Sequence, residues 1–104
     1  MIVVSIDRIP GKEFEVLGMV QGAMVQTVHA GKDIFNSFKT IVGGELSSYT
    51  EMMNSSRATA TSRMIDAANA IGADAIINVR YSSSEVMQGA SEVLAYGTAV
   101  KFVN

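Results

Sequence analysis

Residues 43–72 constrain this chain more than any other stretch; with their flanks they read IVGGELSSYTEMMNSSRATATSRMIDAANAIGADAII. Gly43-Gly44 does not belong inside a helix, where each glycine costs about 1 kcal/mol relative to alanine. The pair permits a sharp change of direction. Ser48-Tyr49-Thr50-Glu51 then matches the S-x-x-E capping box, in which the serine hydroxyl accepts from the backbone three residues on and the glutamate reaches back. From there Tyr49, Met53, Ser56, Ala60, Met64, Ala67 and Ile71, flanked by Met52, Ile65 and Ala68, recur in steps of three and four. That period predicts one long amphipathic helix. Its middle, residues 54–62, is rich in Asn, Ser and Thr, which are weak helix formers, so packing must hold it. Ser56 and Ala60 fit either plain tolerance of small residues or close approach by a neighbouring element. Gly72 is the natural left-handed stop, and Ala75-Ile76-Ile77 opens a strand directly after it.

The elements around this helix follow in order. Ile2-Val3-Val4-Ser5 reads as a short apolar strand, and Pro10-Gly11 as the centre of a type II turn. Residues 14–28 alternate as a long strand, with Gly18 and Gly22 marking a bulge, a bend or a close neighbour. Gly31-Lys32-Asp33 opens a second helical pattern carried by Ile34, Phe35, Phe38, Ile41 and Val42. A third strand is predicted over residues 75–81, with Ile77, Val79 and Tyr81 on one face, and a fourth over residues 92–103. Between them residues 82–91 read as a loop or irregular edge. The order β-β-α-α-β-β predicts an α+β domain spanning residues 1–104, its mainly antiparallel sheet covered on one face by the long helix.

Composition bears on assembly. Apolar residues make up 48% of the chain, and its 9 glycines bring the total to about 57%, against roughly 45–50% in ordinary domains. Charged residues are only 17%, where about 25% is usual, although a small domain has much surface to solvate. No run approaches the roughly 20 apolar residues of a membrane helix, and the first residues lack the pattern of an export signal. The expectation is therefore a cytoplasmic protein that buries its apolar excess against copies of itself. With a net charge of −2 and scattered Lys and Arg, a nucleic-acid role has no electrostatic footing. The absence of cysteine excludes disulfides, thiolate catalysis and cysteine-ligated metal.

Pro10-Gly11-Lys12, Gly18, Gly22, Gly31-Lys32-Asp33-Ile34, the stretch from Ile41 through Gly43-Gly44-Glu45 to Tyr49-Thr50-Glu51-Met52, Ala70 to Ala75, Ser84 to Ala90 and Ala95-Tyr96-Gly97-Thr98-Ala99-Val100 together give the chain a resemblance. It resembles the YbjQ-like family of small bacterial and archaeal proteins, which carries a heavy-metal-binding label. The likeness covers nearly the whole chain. Many members have Arg after the double glycine where this chain has Glu45, and its helix is poorer in charge over residues 54–62. The resemblance implies a dodecin-like subunit, a ring-shaped homopentamer and no settled reaction.

The chemistry available to such a ring is narrow. His29 is the single imidazole; with Asp33 it is a weak candidate for a metal ion, and otherwise a lone sheet-end histidine. Met52, Met53 and Met64 fit a helix core better than a copper site. No G-x-S-x-G elbow or phosphate loop occurs, and His29 lacks a partner nucleophile, so catalysis is not expected. Candidates for a ligand site or subunit contact are Gly43, Gly44, Glu45 and Tyr49, with Tyr49 equally suited to the core. The remaining candidates are Glu85, Met87 and Gln88 in the 84–89 loop, whose plain alternative is a bulged strand extension. The small ligand or protein partner is not identified by these residues.

Overall fold

In the computed structural model the described residues are 1–27, 41–42 and 45–103, with residues 41–42 and 45–49 described by their backbone only. A mixed, mainly antiparallel four-stranded sheet carries one long helix on one face. Its strands are β1 (Ile2–Val3), β2 (Phe14–Thr27), β5 (Ala75–Met87) and β6 (Ala90–Phe102), in the spatial order β1-β5-β6-β2. β3 (Ile41–Val42) and β4 (Glu45–Leu46) form a separate two-stranded pair just before the helix α1 (Ser47–Ala70). β1 runs parallel to β5, whereas β6 pairs antiparallel with both β5 and β2.

Local signals were met where backbone chemistry is decisive. Lys12 donates to Ile9 at 3.1 Å across Pro10-Gly11, and Gly11 has φ +79°, as a type II turn requires. At the helix end Ala73 donates to Ala68 and Gly72 to Asn69, with Gly72 at φ +79°. That is the Schellman pattern, which satisfies carbonyls that would otherwise be orphaned. Gly18 sits at φ +138° beside a register shift between Val16 and Gly18, so the anticipated bulge is there.

Three expectations need correction. Ile41 and Val42 are strand, not the end of a helix; adjacent β-branched side chains favour extended backbone. The remainder of that anticipated helix, including Gly31 and Asp33, lies outside the described residues, as do Val28, His29, Gly43 and Gly44. Second, β5 does not end at Tyr81. It runs through the serines to Met87 and turns at Gln88-Gly89, with Gly89 at φ +79°, so the 84–89 stretch is a bulged strand extension rather than a loop. Third, Ile77 and Val79 do not share a face. Asn78 adopts φ 53°, the left-handed region asparagine tolerates, and a register shift follows between Ile77 and Arg80. Ile77 accordingly packs with Val100 on one side of the sheet and Val79 with the helix on the other.

The main core lies between α1 and the sheet. Ser56, Ala60, Met64 and Ala68 are buried at four-residue intervals along the helix, over Val20, Ile76, Val79, Val93, Ala95 and Ala99. Ile71, placed on this face by the sequence pattern, instead lies past the helix end and is 49% exposed. The small residues do bring the layers close. A Cβ on Gly22 would overlap the Ala60 carbonyl oxygen and the Met64 nitrogen, and one on Gly97 would stand 2.7 Å from Ile76 Cγ2. Buried Ser56 is satisfied by its bond to the Met52 carbonyl at 3.0 Å, one turn back.

A second, smaller cluster lies on the opposite face, where Val4 and Ile9 cover Ala75, Ile77, Val100, Phe14 and Phe102. The N-terminal segment thus roofs one end of that face. Asp74 locks the same end, its carboxylate accepting from the Phe102 backbone at 2.8 Å, with Lys101 Nζ 3.9 Å away.

Candidate functional site

Among the described residues, nothing covers the sheet's second face beyond the N-terminal roof. Strand register assigns its residues: Met19 pairs with Thr98, Gln21 with Tyr96, Ala23 with Leu94 and Val25 with Glu92, while Arg80 and Ser82 extend the rows from β5. Side chains directly opposite one another lie on one face. This surface mixes apolar and polar side chains, and on it Met19 is 75% exposed. Arg80 stands at its boundary, where Nη1 donates to the Ser5 carbonyl at 2.9 Å.

Among the described residues the sheet also leaves backbone edges unpaired. β2 is an edge strand of 14 residues whose one charged side chain is Glu15. Val16, at 65% exposure, and Leu17 flank its bulge. Soluble proteins blunt such edges with lysine, proline or shortness. β2 has neither residue, and its one guard among the described residues is Arg63 of α1, which donates to the Ala23 carbonyl at 2.6 Å. On the far side no described strand pairs with β5 from Arg80 onward, since the N-terminal segment bonds to it only as far as Val79.

The sequence candidates distribute over this frame as follows. Glu85 and Met87 end β5, and Gln88 begins its turn into β6; all three are exposed, Met87 at 67%. Glu45 lies in β4, paired with Val42, and Tyr49 in the first turn of α1; their side chains are outside the described set. The hairpin tip and the helix N-terminus share one end of the molecule, because Ala90 pairs with Thr27 and Ser56 meets Gln26 at 3.4 Å. Among the described residues no group of three His, Asp or Glu side chains is placed to hold a metal ion, and His29 and Asp33 are not among those residues. No described helix is long and apolar enough to cross a membrane. The open face and the bare edges are what residue-by-residue reading missed. Their signal was the near absence of charge from β2.

Fold and surface together define a small α+β protein whose described residues leave a sheet face and two strand edges uncovered. The chain belongs to the YbjQ family, whose model, described as "Putative heavy-metal-binding", matches residues 1–103. It is similar to a UPF0145 protein of Alkaliphilus metalliredigens, 58% identical over 103 residues that cover 99% of this chain and 100% of the relative. A UPF0145 protein of Methanosarcina acetivorans is 49% identical over 105 residues, covering 100% of this chain and 99% of that one. In architecture it is similar to a crystal structure of a DUF74-family protein of unknown function from Pediococcus pentosaceus, with TM-score 0.71 and 16% identity over 98% of this chain and 97% of that one. That likeness speaks to the fold alone.

Proposed function

We propose that the chain works as a cytoplasmic homo-oligomer, a ring of five dodecin-like subunits, that binds a small ligand or a partner at its subunit boundaries and catalyses no reaction. The observation that carries this reading is the long, almost uncharged edge strand β2, with Val16 and Met19 exposed beside it. A lone subunit would present that edge to water and to every other strand it met. The low charge of the whole chain supports the same reading, and the number five rests on the family resemblance. With a single imidazole and no cysteine, the sequence offers no obvious nucleophile–base pair, which favours binding over catalysis. Glu45, Tyr49, Glu85, Met87 and Gln88 are the side chains we assign to subunit boundaries, together with the backbone of Gly43 and Gly44. Native mass spectrometry of the purified protein tests the reading, since subunit number and any retained small molecule appear in one spectrum.

A second reading, heavy-metal binding, is favoured by the description of the family model. A ring would bring symmetry-related copies of one weak ligand together, and His29 with Asp33 is the pair we would assign. Elemental analysis decides it: stoichiometric metal lost in His29→Ala supports binding, and metal-free wild-type protein after loading opposes it.

A further inference from the structure

The two sheet edges that no described residue pairs with are complementary in a way that specifies how copies would join. On β2 the Ala23 carbonyl faces outward, where Arg63 donates to it. Backbone direction alternates along a strand, so odd-numbered residues from Met19 to Thr27 aim their N–H and C=O groups at the free edge. Register places the side chains of that set on the open face, opposite Tyr96 and Leu94. On β5, Val79 donates outward to the Val4 carbonyl at 3.0 Å, so Tyr81, Ser83 and Glu85 present the outward groups. Their side chains lie on the helix face, as the 2.8 Å bond between the Tyr81 and Thr61 hydroxyls shows.

That difference selects the pairing mode. In an antiparallel pair, residues bonded to each other lie opposite and share a face. In a parallel pair, a residue bonds to the neighbours of the one opposite it, so the two bonding sets lie on opposite faces. β2 and β5 already run in the same direction, both antiparallel to β6. We propose that β2 of one copy pairs in parallel with residues 80–87 of β5 in the next, continuing the sheet with every helix on the same side. The free lengths agree, residues 19–27 against residues 80–87. Ala23 keeps a second lone pair for the incoming strand. A contact between unlike edges propagates around a ring, whereas pairing of β2 with itself stops at two copies. The inference rests on the oligomeric reading above and names the surfaces that would carry it.

Proline removes one N–H and is tolerated on an edge strand where that N–H faces outward. Val25→Pro breaks the β2 edge and Ser83→Pro the β5 edge. Each alone is expected to give folded monomer by circular dichroism and native mass spectrometry. An equimolar mixture is expected to give a one-to-one heterodimer, because one intact edge of each kind remains. Cysteine pairs provide a second measurement independent of proline tolerance, since the chain has no cysteine of its own. Ser82→Cys, mixed in turn with Gln21→Cys, Ala23→Cys and Val25→Cys, is expected to form an intermolecular disulfide in one combination, all four positions lying on the open face. An assembled wild type whose proline variants stay assembled, or whose cysteine pairs all fail to cross-link, overturns the edge pairing and leaves the oligomer standing. A monomeric wild type overturns both.

Discussion

Gly22 of β2 lies directly beneath the backbone of Ala60 in α1, with no room between them for a side chain. This contact seats the helix on the sheet, and the rest of the main core is arranged around it. Gly22→Ala forces the helix off β2. Overpacking of this kind costs about 3 kcal/mol. Gly18→Ala meets no neighbour but holds a side chain at φ +138°, a strained backbone costing about 1–2 kcal/mol. Urea unfolding should rank Gly22→Ala as the more damaging; an equal or reversed order would mean that the helix is not seated there.

Met64 is the largest fully buried side chain among the described side chains of the helix. Met64→Ala should cost about 2–5 kcal/mol by the cavity it leaves. Ile71→Ala, at an exposed position past the helix end, should stay within about 0.5 kcal/mol of wild type. Denaturant midpoints of the two variants check the assigned face.

Asp74 supports the start of β5 through its bond to the Phe102 backbone, and its contact with Lys101 is longer and solvent-exposed. Asp74→Ala should cost about 1–3 kcal/mol, as for a hydrogen bond to a charged group. Lys101→Ala loses a surface pair and should cost about 1 kcal/mol or less. High salt should leave the first difference largely intact.

Met19 projects from the open face beside the β2 edge. Met19→Lys places a charge where a neighbouring subunit is proposed to pack. The expected result is dissociation with an unchanged far-UV spectrum, read by sedimentation velocity. Assembly that survives the lysine would move the boundary away from this face.

Much of the fold was legible wherever one residue type has one backbone consequence. Gly72 closing the helix, Pro10-Gly11 turning the chain, and Gly18 and Gly22 marking bulge and contact were all readable before any pairing was known. The misreadings came where tertiary pairing overrides local preference. Ser82-Ser83-Ser84 lacks strand-forming side chains, yet β6 offers a complete hydrogen-bonding partner and draws it into β5. Asn78 hides a bulge inside an alternation that looks unbroken, which sends Val79 to the helix side. Ile41 and Val42 fitted a helical spacing, but their backbone is extended in β3. The candidate surface was legible only as a deficit of charge, since which residues a sheet leaves uncovered depends on strand order.

The claim that this chain completes its surface with copies of itself is tested most directly by a native mass spectrum of the untagged protein at micromolar concentration. The account predicts one dominant species of five subunits, each of 11.1 kDa. A spectrum of folded single subunits, unchanged as concentration rises, would contradict it.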